Sequence, residues 1–400
     1  VVWEKKLTNW VNNIRSHAAL PLRLELWNGK QYDFSNDKPK VTINVPGVSS
    51  LGYLLTPSLS NLGTAYVEGK IDVKGKLTDV INLAHGLAER SLAPEGRLAR
   101  IARIFTHSKK KDAEAISYHY DVSNEFYSEW LDPNMVYSCA YFENGDEDLA
   151  TAQLKKIDHI LTKIQLKPDQ RLLDIGCGWG ALVIRAAQKF GAHCVGITLS
   201  EKQYALARER VQKAGLADKI EIRLVDYRDM HGSFDRITSV GMFEHVGLKH
   251  LSAYFKKIHS LLSENGIAMN HGITSSDSQS RETAYGGGEF IDKYVFPHGE
   301  LPHISLVLQT MQEGGLESMD IENLRFHYAK TCAMWADNLE EKADIVKKMV
   351  DDKHYRIWRI YLAGSSYAFT NDLIALYQVV CVKAGRRSPL LPLSRRYMYG

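Results

Sequence analysis

Leu172-Leu173-Asp174-Ile175-Gly176-Cys177-Gly178-Trp179-Gly180 is the stretch that decides the fold of this chain. A strand-like run, Arg171 to Ile175, gives way to glycine at every second position, and a helix-like segment, Ala181 to Phe190, follows at once. Glycines are needed where a chain turns sharply from strand to helix and lets a ligand approach its backbone. The spacing is neither the dinucleotide fingerprint G-x-G-x-x-G nor a P-loop, which would need Gly-Lys-Ser/Thr. With Asp174 ahead of the glycines, the pattern reads as a nucleotide-type loop; an ordinary βα turn is the plainer alternative.

Outward from that loop the pattern alternates. Strands are expected at Arg171–Ile175, His193–Ile197, Ile220–Leu224, Phe234–Val240 and Gly266–His271, with helices at Ala181–Phe190, Glu201–Ala214 and Leu251–Leu262. Alternating β and α implies a doubly wound α/β sheet with ligand loops at the carboxyl ends of its strands. Further on, His303–Glu313 reads as a helix, Leu316–Phe326 as a strand and Thr331–Met349 as a helix starting near Trp335. Another helix is expected over Tyr355–Phe369 and a closing strand over Ala375–Val382. Residues 275–302 interrupt the unit with a polar run and Gly286-Gly287-Gly288, suiting a lid.

Before the sheet, residues 1–95 read as a small α+β domain, either binding or regulatory, or a structural appendage. It has a helix at Trp3–His17, strands at Leu22–Trp27, Gln31–Phe34 and Val41–Val45, possible strand pairing over Ala65–Val73 and a helix at Leu77–Glu89. Residues 96–116 read as a basic linker with Lys109-Lys110-Lys111, and 117–400 as the second domain, which carries the glycine loop. Helix Leu149–Ile164 carries Leu154, Ile157, Leu161 and Ile164 on one face.

The 400 residues are globular in composition, 44% hydrophobic and 24% charged, with no apolar run of membrane-spanning length. The opening Val1-Val2-Trp3-Glu4-Lys5-Lys6 shows no secretory leader pattern. Five cysteines, at 139, 177, 194, 332 and 381, lack Cys-x-x-Cys pairing. That favours reduced thiols in a cytoplasmic setting and gives no metal site. A net charge of +3 is too small for a nucleic-acid binder. The linker and the tail, Ala384–Gly400 with Arg386, Arg387, Arg395 and Arg396, mix basic and apolar groups. That composition suits an anionic membrane surface, and equally a solvated linker and a frayed end.

Candidate site residues gather at the carboxyl ends of the strands. Asp226, after the third strand, could accept an adenine amino group, or cap a turn. The second strand ends in Thr198-Leu199-Ser200-Glu201-Lys202-Gln203, where many nucleotide folds place an acid for the ribose. Glu244, His271 and Tyr328 are polar groups expected at the same end; packing roles are the alternatives for the last two. Aromatic residues nearby, including Tyr137, Tyr141, Trp179, Phe243, Tyr285, Tyr294 and Trp335, could stabilise a cation.

Several motifs together resemble one family. They are Tyr118-His119-Tyr120-Asp121, Tyr137-Ser138-Cys139-Ala140-Tyr141, the 172–180 loop, Thr198-Leu199-Ser200, Val240-Gly241-Met242-Phe243-Glu244-His245-Val246-Gly247 and Tyr294-Val295-Phe296-Pro297. Over roughly residues 95–385 the chain resembles cyclopropane-fatty-acyl-phospholipid synthases and the related mycolic acid cyclopropane synthases. These are S-adenosylmethionine (SAM) methyltransferases of class I, with a Rossmann-like sheet. The resemblance implies that SAM contacts Tyr137, Ser138, Asp174, Gly176, Cys177, Gly178, Trp179, Gly180, Thr198, Leu199, Ser200, Gln203, Asp226 and Tyr227. It implies a bicarbonate ion held by Cys139, Glu244, His271, the Ile273 backbone and Tyr328.

By the same resemblance, a methylene from SAM would be added to a cis double bond of a phospholipid acyl chain, through a carbocation that bicarbonate deprotonates. An alkene has no proton to remove first, so the base is needed after methyl transfer. Ser365 falls where many members carry a cysteine, which argues against a thiol nucleophile there. The expected partners are an unsaturated phospholipid and a second copy in a homodimer. The expected place is the cytoplasm, peripherally on the inner face of the membrane. The runner-up is methylation of a lipid or small amine without ring closure; a non-enzymatic lipid carrier is the alternative of another class.

Overall fold

The structure is a computed structural model that describes residues 2–55, 57–90, 122–280, 287–296 and 299–399. The readings made for the linker 96–116 and for the motif 118–121 lie outside the described residues. The chain divides into two units. One draws on Val1–Ile104, Thr283–Pro297 and Ala343–Tyr367, and the other on Phe105–Glu282, His298–Lys342 and Ala368–Gly400.

In the first unit, helix α1 (Val2–His17) precedes strands β1 (Leu22–Leu26), β2 (Gln31–Asp33) and β3 (Val41–Val45). Helices α2 (Leu51–Leu55) and α3 (Leu59–Val67), strand β4 (Asp72–Lys74) and helix α4 (Leu77–Arg90) follow. The sheet order is β2-β1-β3-β4, with β1 and β3 parallel and the edge strands antiparallel. Alternate residues of β1 and β3 are buried, and they join Leu7, Val11 and Ile14 of α1 in one core. The strand pairing expected over Ala65–Val73 is not what forms. Ser58 accepts a hydrogen bond from the Asn61 N–H and caps α3, which buries Leu62, Ala65 and Tyr66; only Asp72–Lys74 pairs as a strand.

The segment expected as a lid, 275–302, contains a short helix. Its helix Gly287–Tyr294 belongs to the first unit, where Phe290, Tyr294 and Val295 enter that core. Gly63 is required there, because a Cβ on it would stand 2.6 Å from the Phe290 ring. Tyr294 adds a hydrogen bond from its hydroxyl to Glu68 Oε1 (3.1 Å).

The second unit opens with helices α5 (Asn124–Ser128) and α6 (Leu149–Lys163). Then β5 (Arg171–Ile175), α7 (Ala181–Phe190), β6 (His193–Thr198), α8 (Glu201–Lys213), β7 (Ile220–Leu224), β8 (Phe234–Val240), α9 (Leu251–Leu261) and β9 (Leu262–Ser275) alternate. Helix α10 (Ile304–Glu313), strand β10 (Leu316–Asn323), helix α11 (Arg325–Glu341) and strand β11 (Ile374–Lys383) complete it. The sheet order is β10-β11-β9-β8-β5-β6-β7. Strands β9, β8, β5, β6 and β7 are mutually parallel, and β11 runs antiparallel to both of its neighbours. The order turns back between β5 and β8, where open α/β sheets bind ligands.

Both faces of this sheet are covered at its centre, so β5 and β6 are buried nearly throughout. Leu172, Cys194, Ile267 and Val380 pack with α6 and α7 on one face. Leu173, Val195, Ala268 and Val379 pack with α9 and α10 on the other. Each buried leucine is worth about 1.5–3 kcal/mol.

Helix α11 begins at Arg325, six residues before the expected start, so Tyr328 lies on a helix and not in a loop. The tail is not a frayed basic end. Leu391 and Met398 are buried, Arg386 donates to Glu264 O and Asn265 Oδ1, and Arg395 pairs with Asp320 (3.3 Å). Among the described residues no helix is long and apolar enough to cross a membrane.

Candidate active site

The glycine loop does what its spacing predicts. Gly176, Gly178 and Gly180 all have positive φ (80°, 54° and 87°), a region that disfavours side chains. The Gly176 and Cys177 N–H groups both donate to Ile197 O on β6, which clamps the turn (2.9 Å each). A Cβ on Gly176 would meet Met242 at 2.8 Å, whereas one on Gly178 would meet nothing within 4 Å. The loop is therefore closed against β8 on one side and open at Gly178. Asp174 is buried beneath it and accepts from the Thr238 hydroxyl (2.7 Å). Burial pushes its pKa up to about 6, against that bond and the positive charge of Lys156.

After β6, Thr198 Oγ1 donates to Gln203 Oε1 (2.9 Å) and Ser200 caps α8 through the Gln203 N–H. Both are buried, with Leu199 half-buried between them. Asp226 holds Arg228 through both carboxylate oxygens (2.9 and 2.7 Å) and caps the turn Tyr227–Asp229. The capping alternative read for Asp226 is thus what the structure forms. Trp179 is buried, with its indole N–H on Asn124 Oδ1 (2.8 Å) and its ring beside Tyr127 (5.1 Å). Tyr137 lies among Tyr127, Trp130 and Trp335, at ring distances of 5.6, 5.5 and 5.2 Å.

The opposite pole gathers at the ends of β8 and β9. Glu244, on the turn Phe243–His245, accepts the Ile273 N–H through Oε1 (2.6 Å). Its Oε2 is buried with no partner among the described residues. Burial raises its pKa to about 7 in spite of the Ile273 N–H. His271 is 1% exposed, and its Nε2 also lacks a partner among the described residues. Burial, with Lys156 and Lys163 nearby, holds its pKa well below 6.5, so the imidazole is neutral. Ile273 therefore acts here by orienting Glu244 with its N–H.

Cys139 is fully buried beside Leu324 O (3.8 Å), and burial pushes its thiol pKa up, so it is not a thiolate. Tyr328 is half-buried, stacked on Phe369 (4.5 Å) and edge-on to Trp335 (5.9 Å). Ser365 lies on helix Asp352–Thr370 in the part assigned to the first unit, and so is not among the residues that the second unit itself assembles.

Sequence reasoning missed the back wall of this site. Gln153, Lys156, His159 and Lys163 of α6 are all buried, at spacings of three, three and four. Gln153 Nε2 donates to Ser138 O (2.8 Å) and Lys156 Nζ to Ser138 Oγ (2.6 Å), fixing the Tyr137–Ser138 segment. Lys156 is only 2% exposed, and burial lowers its pKa to about 8. His159 and Lys163 reach Glu322, and Lys163 also reaches Gln378. Such a stripe looks like a solvated helix face; only the apolar face beside it was legible.

One unit thus holds both a glycine loop open at Gly178 and two buried polar atoms with no partner among the described residues. Among the described residues no cluster could hold a metal ion.

A model of the mycolic acid cyclopropane synthetase family matches residues 107–379, and residues 9–95 match a domain family of unknown function. A probable fatty acid methyltransferase of Pseudomonas putida is 47% identical over 385 residues, covering 95% of this chain and 96% of that protein. The cyclopropane-fatty-acyl-phospholipid synthase of Escherichia coli is 38% identical over 280 residues, 70% of each. The crystal structure of mycolic acid cyclopropane synthase CmaA1, complexed with SAH and CTAB, superposes with a TM-score of 0.65 at 33% identity, over 68% of this chain and 98% of that one. Loop, sheet order and these likenesses agree: the chain belongs to the mycolic acid cyclopropane synthetase family, built on a class I SAM-methyltransferase fold.

Proposed function

We propose that this protein uses SAM to convert the cis double bond of an unsaturated fatty acyl chain, carried by a membrane phospholipid, into a cyclopropane ring. The observation that carries the proposal is the two orphaned buried atoms, Glu244 Oε2 and His271 Nε2, in the unit that also gathers the rings of Tyr137, Trp335 and Tyr328. Orphaned buried polar atoms cost about 1–3 kcal/mol each. That cost is removed when a small polar group binds between them, and a bicarbonate ion fits this chemistry.

When bound, SAM supplies an electrophilic methyl group. Bicarbonate, when bound, supplies a base at the lipid cation. The chain's own residues do the rest. The 176–180 loop offers backbone donors without side chains in the way. Ser138 is held by Lys156, and Gln203 by Thr198, as polar contacts. The rings of Tyr137, Trp335 and Tyr328 offer π-faces that favour a cation. Glu244, with a pKa near 7, can be protonated and so need not repel an anion. In this reading Glu244 and His271 hold the base and do not themselves abstract the proton.

Methylation without ring closure is the second reading, favoured by the name of the 47% identical relative, a probable fatty acid methyltransferase. Vesicles of an unsaturated phospholipid, incubated with the protein and methyl-deuterated SAM, separate the readings. A gain of one CD2 with loss of the alkene and appearance of ring protons by NMR supports cyclopropanation. Methylated product without ring protons supports the second reading. No SAM uptake in calorimetry would reject both and leave a lipid carrier.

A further inference from the structure

His271 can present either a donor or an acceptor at the sheet end, depending on which ring nitrogen carries its proton. The residues behind it settle the matter. His271 on β9 stands directly opposite Gln378 on β11, and Gln378 directly opposite Glu322 on β10. Residues opposed across neighbouring strands share a face. These three therefore form one polar row across the sheet, on the side that α6 covers. Lys163 of α6, fully buried, bonds to both Glu322 Oε2 and Gln378 Oε1 (2.9 Å to the latter). Gln378 Nε2 in turn lies 3.2 Å from His271 Nδ1.

The directions of these bonds follow from the inventory of donors. Burial opposes charge on Lys163 and on Glu322 alike. Even so, Lys163 and His159 pull Glu322 down to about 2, so it is an anion. A lysine bonded to that anion is an ammonium, which can only donate. Gln378 must then meet it with Oε1, because the reversed amide would set N–H against N–H. The other end of the amide is consequently N–H, and it must donate to His271 Nδ1. A neutral imidazole that accepts at Nδ1 carries its proton on Nε2.

We infer that Glu322, Lys163 and Gln378 are a positioning relay that fixes His271 as the Nε2–H tautomer, so that it presents a donor to an anion at the sheet end. The orphaned Nε2 is then a donor awaiting an acceptor, which deepens the proposed function above and rests on it for the identity of the anion. Gln378 and Lys163 lie behind His271, the first bonded to it and the second to Gln378, and each acts only through it.

The test is NMR of the full-length protein labelled with 15N-histidine, with His271 assigned by its loss in His271→Asn. The expected result is a proton on Nε2 and a bare Nδ1; a proton on Nδ1 overturns the inference without any variant. In Gln378→Glu the carboxylate can still accept from Lys163 but can only accept from His271, so the proton should move to Nδ1. An unmoved proton in that variant also overturns it. Turnover of the labelled lipid should fall by about ten- to hundred-fold, as for other groups that orient a functional histidine, while SAM affinity stays within about twofold. Equal losses in both would mark Gln378 as merely structural. The NMR readout needs no turnover. A silent lipid assay therefore removes the proposed reaction and leaves the tautomer to be judged by itself.

Discussion

Glu244→Gln separates the site's chemistry from its stability. The amide keeps an oxygen for the Ile273 N–H, so the local geometry survives, but it cannot ionise or share a proton. A carboxyl shifted from 4.5 to about 7 by burial prefers its neutral form by roughly 3 kcal/mol. The folded state binds this proton more tightly than the unfolded state does. Its contribution to stability is therefore complete below pH 4.5 and is lost as pH rises through about 7. Glutamine does not titrate, so the variant gains on the parent as pH rises: about 1–1.5 kcal/mol near pH 5.5 and about 3 kcal/mol near pH 8.5. The difference, about 2 kcal/mol, corresponds to roughly 4–8 °C in melting temperature for a unit of this size. Urea and thermal unfolding in degassed buffer at the two pH values measure it. Turnover should fall far more than SAM affinity. A pH-independent stability difference would refute the raised pKa, and equal losses of turnover and SAM binding would refute the anion-holding role.

Activity should fall in degassed buffer and return on adding bicarbonate; full activity with none present contradicts the proposed base. Gly176→Ala should weaken SAM binding and cost about 1–2 kcal/mol in backbone strain alone, with more from the contact with Met242; SAM titration and urea unfolding check it. All five cysteines are buried, with thiol pKa values pushed up by burial, to about 12 for Cys194 and Cys381. The native protein should therefore resist alkylation near neutral pH, and fast modification of Cys139 by mass spectrometry would refute its burial.

What the sequence revealed and what it hid have physical causes. The 172–180 loop was legible because turn chemistry is local: a glycine at positive φ announces itself whatever packs around it. Glu244 was expected after a strand and follows β8, whereas His271, expected at a strand end, lies inside β9, which runs on to Ser275 because it pairs with β11 that far. Tyr328 was misplaced because Leu316–Phe326 carries enough apolar residues to read as a strand, while the helix starts just before it. Lys156, Lys163 and Gln378 were not legible at all. A lysine on a helix reads as solvated until tertiary contacts bury it, and a glutamine in a strand reveals nothing until its cross-strand partners are known. The ordered tail was hidden for the same reason, since Arg386 and Arg395 are engaged by residues far away in sequence.

The interleaving of the two units sets an order for synthesis. The chain passes from one unit to the other five times, and the first takes its last segment from Ala343–Tyr367. Arg356 reaches the Tyr66 carbonyl across 290 residues of intervening chain. Ile357 and Phe290 belong to the same core as Leu7 and Leu22. Domains usually fold in order of emergence from the ribosome, yet this unit lacks part of its core until Ala343–Tyr367 has emerged. Its 95 opening residues, expressed alone, would carry a core exposed where the two later segments dock. A segment made before the sheet is thus finished only after most of the sheet has been made.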